Sequence, residues 1–159
     1  MINILKEAKL LEVSEKVRQA AEEMRVVFLS GAITHDKNYR EKFGLAEQVL
    51  GEMGYIVLNP AVLPDGLEYD EYLRSTLAML HGADGVCVFD DWAESNGART
   101  EIEEALHKDM PIVRWADFQK IYLSAKAELD ALNKQFVVTT CPVCGKLIVE
   151  GCGHKCGRE

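Results

Sequence analysis

The chain is predicted to be an α/β protein, a doubly wound parallel sheet of four or five strands with helices on both faces. Three observations predict it. Short segments that are apolar almost throughout recur along the chain: Val26–Leu29, Tyr55–Leu58, Gly85–Phe89 and Pro111–Trp115. Between them run stretches whose apolar residues keep helical spacing. The length of 159 residues suits one ordinary α/β domain with a small appendage. Strands without polar alternation are those covered on both faces, and right-handed crossovers then build a Rossmann-like sandwich.

Each element has its own signal. Val13, Val17, Ala20 and Met24 mark an N-terminal helix within residues 1–24. The first strand ends at Ser30-Gly31-Ala32, and a helix from Tyr39 to Met53 follows, with Phe43, Ala46, Val49 and Leu50 on one face and Gly54 as its stop. Asn59-Pro60 closes the second strand. Tyr69, Leu73, Leu77 and Leu80 form the stripe of the next helix, and the third strand ends at Asp90-Asp91-Trp92. A helix over Gly97–Lys108 buries Ala98, Ile102, Ala105 and Leu106, and a last helix covers Asp117–Lys134 after the fourth strand. The α/β domain is thus expected over 25–135 and a Cys-rich tail over 136–159. Ligands of such sheets bind beyond the carboxyl ends of the strands, which here means the loops Ser30–Asn38, Asn59–Glu68 and Asp90–Gly97.

Composition narrows the function classes. The hydrophobic fraction of 48% can build a core, and no apolar run approaches the roughly 20 residues that span a bilayer. The first residues lack the basic start and apolar stretch of a signal peptide, so a cytoplasmic protein with no membrane association is expected. A net charge of −8 argues against duplex nucleic acid as a partner, because phosphate affinity comes from Lys and Arg. From Lys134 onward, Lys134, Lys146, Lys155 and Arg158 outnumber Glu150 and Glu159, yet metal-bound thiolates would bring the tail back near neutrality.

Four of the five cysteines fall in the final nineteen residues. Cys141-x-x-Cys144-Gly has knuckle spacing, and Cys152-Gly-His154-Lys-Cys156 supplies further thiolates. Zinc takes four tetrahedral sulfur or imidazole ligands, so a structural zinc on Cys141, Cys144, Cys152 and Cys156 is expected, with His154 beside Cys152 or Cys156 as the alternative. Cys87, inside an apolar run, reads as a small core residue.

The segment Asp90–Glu101 carries the most chemistry. It leaves a strand and enters a helix, where Ser95 and Gly97 present a hydroxyl and open amides at the helix N-terminus. Ser95 also has the chemistry of an N-cap. Glu101 is expected in the first turn or so, where the helix dipole favours its ionised form. A carboxylate facing a cleft can act as a nucleophile in glycoside-type chemistry.

Phe28-Leu29-Ser30-Gly31-Ala32-Ile33-Thr34, Asn59-Pro60-Ala61, Leu77–Asp84 and Ser95-x-Gly97-Ala98-x-x-Glu101 together resemble the nucleoside 2-deoxyribosyltransferase superfamily, particularly its branch of short phage-associated domains. The similarity spans Val26 to Trp115. It implies that Glu101 attacks the sugar C1′, that the ligand is a nucleoside or nucleoside 5′-monophosphate, and that Ser30, Gly31, Ser95 and Gly97 line its site. Ser95 stands where transferases of free nucleosides tend to carry Asp, and a hydroxyl there tolerates a 5′-phosphate that a carboxylate would repel. Tyr39 either presses on the sugar or on Glu101, or is a helix-start aromatic. Asn59 either touches the ligand or serves an Asn-Pro turn, and Trp92 either stacks on a base or covers the sheet edge. The sequence departs from the pattern at Thr76, where active relatives usually have a catalytic Asp; either Asp70, Asp90 or Asp91 substitutes, or the chain binds nucleotides without efficient turnover. Relatives are commonly dimers or larger, so a homo-oligomer is expected. A nucleotide-binding module without turnover is the competing expectation.

Overall fold

The computed structural model describes residues 13–34, 36–135, 138–140 and 147–149, with side chains to residue 132. The chain divides into two compact units, Met1–Tyr122 and Leu123–Glu159. In the first, helix α1 (Glu15–Glu22) leads into strand β1 (Val26–Ser30), followed by α2 (Tyr39–Glu52), β2 (Ile56–Leu58) and a 3-10 turn (Pro60–Val62). Then come α3 (Tyr69–His81), β3 (Gly85–Val88), a second 3-10 turn (Trp92–Glu94), α4 (Asn96–His107) and β4 (Ile112–Arg114). Helix α5 (Trp115–Gln135) runs from the first unit into the second. The second unit also holds β5 (Val138–Thr140) and β6 (Leu147–Val149), which pair antiparallel. Among the described residues no helix is long and apolar enough to cross a membrane.

The main sheet has the order β2-β1-β3-β4, and all three pairings are parallel. The predicted doubly wound sheet is therefore present, with four strands. Its two-sidedness follows from the period of two along a strand. Val27 and Leu29 of β1, with Cys87 and Phe89 at β3, join Ala21, Phe43, Leu50 and Phe118 from α1, α2 and α5 in one core cluster. Phe28, Val86 and Val88 point the other way and join Leu80 of α3 and Ile102 and Ala105 of α4. Cys87 is fully buried, as its surroundings in the sequence predict, and burial pushes its thiol well above the usual range. Asp84 locks the base of the sheet by accepting hydrogen bonds from the backbone N–H groups of Arg25 (2.9 Å) and Val26 (2.7 Å).

One boundary differs from expectation. Trp115 begins α5 instead of ending β4. Its ring packs 6.1 Å from Phe89 in a tilted pair. Arg114 bonds Asp117 at 3.0 Å across what is already the helical first turn. An apolar residue next to a strand looks like strand in sequence, but here the first residue of a helix packs, partly buried, against the core.

From β1 the chain first adds β2 on one side and then crosses to place β3 on the other. That reversal makes the carboxyl ends of β1 and β3 the switch point of the sheet, the position at which such folds bind ligands.

Candidate active site

A cavity of about 310 Å³ opens at this switch point. All three loops predicted to carry a ligand contribute to it: Gly31, Ile33 and Thr34 after β1, Pro60–Leu67 in part after β2, and Ser95 and Gly97 at the N-cap and first turn of α4. Tyr39 closes one side from the start of α2, Tyr69 and Tyr72 come from α3, and Ala98 and Glu101 from α4. A smaller cavity of about 170 Å³ adjoins it at the N-terminus of α4 and shares Thr34, Tyr69, Ser95 and Gly97.

Glu101 is a buried carboxylate in the cavity wall. It lies early in the second turn of α4, because the helix starts one residue before the expected Gly97, and is 5% exposed. The Ser30 hydroxyl donates to its Oε2 at 2.6 Å. Thr76, fully buried on α3, donates its hydroxyl to Leu73 O at 3.2 Å and also lies close enough to lower the Glu101 pKa. Burial outweighs both hydroxyls and pushes the Glu101 carboxyl up to about 7. This corrects the expectation of a carboxylate held ionised by the helix dipole, whose influence fades beyond the first turn. No Lys, Arg or His is among the described residues that line the cavity.

Ser95 caps α4 as predicted, its Oγ accepting from Ala98 N–H at 3.3 Å. The Ser95 proton is not used by that bond and remains available to a ligand. Gly31 is required by close packing, because a Cβ there would stand 2.7 Å from Phe89 Cδ2 and 3.1 Å from Asp91 Oδ1. The loop after β1 is tied down by Lys42, whose Nζ reaches Asp91 Oδ2 (2.5 Å), Asp36 Oδ2 (2.8 Å) and Ala32 O (3.2 Å). Burial works against the Lys42 charge, yet the bonds to Asp36 and Asp91 prevail and raise its pKa.

Of the residues singled out in the sequence, Gly31, Tyr39, Ser95, Gly97 and Glu101 line the cavity, and Ser30 lies directly behind Glu101. Asn59 and Trp92 do not. Asn59 is buried in the turn after β2, accepting from Ala61 N–H at 2.9 Å and donating to Glu47 Oε2 at 2.7 Å. Trp92, partly buried, packs on the cluster of Phe28, Val86 and Ile102. Nor do Asp70, Asp90 or Asp91 line the cavity; Asp91 is held by Lys42 and by Ala32 N–H. The second carboxylate of the wall is Asp65, at the cavity mouth, bridged to Arg40 at 2.7 Å while Arg40 Nε donates to the Tyr39 hydroxyl at 2.8 Å.

Tyr72 was missed. Its hydroxyl donates to Pro60 O at 3.2 Å, and burial, followed by the negative charge of Glu101, pushes the phenol well above its ordinary value. A signal existed: Tyr69, Tyr72 and Thr76 share one helix face at i, i+3, i+7, beside the apolar stripe of Leu73, Leu77 and Leu80.

Cys141, Cys144, Cys152, His154 and Cys156 lie outside the described residues. Among the described residues no group of three or more His, Cys, Asp or Glu could hold a metal ion.

The family described as Domain of unknown function (DUF4406) matches residues 25–114, more than half of the chain. The chain belongs to that family. No curated protein matches it. The matched span begins just before β1 and ends with β4, so it contains the whole parallel sheet and Glu101.

Proposed function

We propose that the chain cleaves or transfers the N-glycosidic bond of a nucleoside or (2′-deoxy)nucleoside 5′-monophosphate, with Glu101 as the nucleophile. The observation that carries this reading is one buried carboxylate, oriented by a buried hydroxyl, at the inner wall of a cavity at the sheet's switch point. A Glu101 oxygen would bond to C1′ while the C1′–N bond breaks. The base leaves with that electron pair and takes a proton from solvent water, and water or a second base then takes the sugar from the Glu101 ester. Removal from water strengthens the carboxylate's interaction with positive charge developing at C1′. Burial raises the Glu101 carboxyl to about 7, so both the protonated and the ionised form are within reach near neutral pH.

Tyr39, Tyr69 and Tyr72 offer faces and edges for sugar and base, and the cavity volume suits a nucleoside-sized ligand. The adjoining cavity at Ser95 has room for a 5′ group; the Ser95 hydroxyl, Thr34 and the helix N-terminus offer it polar contacts, and the Glu94 carboxylate also lines it.

Thr76 favours a second reading, a nucleotide-binding module without efficient turnover. A threonine cannot give a proton to the leaving base. The competing readings separate in one experiment, incubation with a panel of ribo- and deoxyribonucleosides and their 5′-monophosphates, followed by chromatography for free base. Release from any member supports the enzyme. Binding of a panel member by calorimetry with no release supports the module.

Two further proposals concern the whole chain. The tail would bind one structural zinc through Cys141, Cys144, Cys152 and Cys156, with His154 as the alternative ligand; β5 and β6, which flank Cys141 and Cys144 in sequence, pair antiparallel. In the module reading this tail would contact a protein or nucleic-acid partner. The chain would also form a homodimer or larger assembly, which light scattering at tens of micromolar measures; a monomer mass would refute it.

A further inference from the structure

We propose that Ser30 is the positioning residue of this site: its hydroxyl, fixed at the end of β1, aims Glu101 and sustains the carboxylate's charge inside the cavity. The inference rests on the reading of Glu101 as the reacting carboxylate.

Three observations isolate Ser30 as the source of that support. The helix dipole is spent before Glu101, which lies beyond the first turn of α4. An ion pair is not at hand, because the described lining residues include no cation; the titratable groups facing the cavity with Glu101 are Tyr39, Asp65, Tyr69 and Tyr72. Thr76 divides its hydroxyl between Glu101 and the Leu73 carbonyl. Ser30 donates at 2.6 Å, within the range of charge-assisted O–H···O⁻ bonds.

Its rigidity explains why it can aim as well as stabilise. Ser30 pairs with Val88 in the parallel ladder, and its carbonyl accepts from Phe89 N–H at 2.9 Å. It is 0% exposed, so its side chain has little room to turn away. A hydroxyl on a central strand holds a partner more closely than one on a loop.

The test reads Glu101 directly and needs no substrate. The side-chain carboxyl carbons are followed by NMR against pH, with Glu101 assigned by the resonance lost in Glu101→Gln. Removing one hydrogen bond to a charged group should move the Glu101 midpoint up by about one pH unit in Ser30→Ala. Ser30→Thr, which keeps the hydroxyl, should restore the parent midpoint, and Ser30→Cys, a weak donor of similar size, should fall between. If base release is found, its pH profile should move with the midpoint, and Ser30→Ala should retain a lowered kcat at high pH because the carboxylate is no longer aimed. A Glu101 midpoint unchanged in Ser30→Ala, or a Ser30→Thr that matches Ser30→Ala, overturns the inference. Absence of base release from the parent protein refutes the enzyme reading and leaves the titration result standing.

Discussion

Ser30 and Glu101, 71 positions apart in the chain, meet through a buried hydrogen bond of 2.6 Å that joins the end of β1 to the second turn of α4. The bond links one of the two inner strands of the sheet to a carboxylate that, among the described residues, is the one buried in the cavity wall.

Glu101 carries the chemistry in the proposed function, so Glu101→Gln should keep the fold and lower base release by orders of magnitude. Glu103→Gln and Glu104→Gln should change it little; Glu104 is occupied on the surface by His81 at 2.8 Å. Chromatographic release assays on the three variants compare them. Equal turnover by Glu101→Gln and the parent would remove the nucleophile assignment.

The same substitution has a stability signature. Glu101 ionises near 4.5 when unfolded and near 7 in the native site. Between those values the native state holds the extra proton, so the Glu101 contribution to stability falls as pH rises and is fully lost above about 7. The loss is on the order of 3 kcal/mol. Denaturant melts should therefore show Glu101→Gln gaining on the parent from pH 5 to pH 8. A constant difference across that range would contradict the shifted carboxyl.

Ser95→Asp should weaken binding of a nucleoside 5′-monophosphate through like-charge repulsion and leave the free nucleoside nearly unaffected. The cap survives, because Asp accepts from Ala98 N–H as Ser95 does. Calorimetry on the two ligands measures the difference. Equal losses would reduce Ser95 to a cap.

Gly31→Ala should destabilise the protein by roughly 1–3 kcal/mol, since the new methyl meets the Phe89 ring inside a packed core. Phe89 is held by Phe43 at 4.7 Å and Trp115 at 6.1 Å and has little freedom to yield. Thermal denaturation reads the effect, and an unchanged Tm would disprove it.

The tail should bind about one zinc per chain by metal analysis, and replacing Cys141 and Cys144 with Ser should remove it. Structural zinc contributes folding energy directly, so proteolysis should then begin in the tail while the α/β unit persists. Protein purified without chelator and free of zinc would refute the site.

The sequence by itself determined the architecture. Val27-Phe28-Leu29 and Val86-Cys87-Val88 lack polar alternation, which only strands buried on both faces can sustain, and the helices between them force parallel pairing. It also determined the loops that line the cavity and the Ser95 cap, because capping is a contact between residues three apart. The tertiary structure alone decided what lies around Glu101. Desolvation depends on side chains delivered by β1 and α3, and no local pattern near Glu101 encodes it, so a carboxylate read as dipole-stabilised becomes one raised to about 7. Trp92 and Trp115 follow the same logic. An aromatic at the end of a strand can turn to the cavity or to the core, and the choice depends on which face has apolar volume to fill, a quantity set by the packed helices.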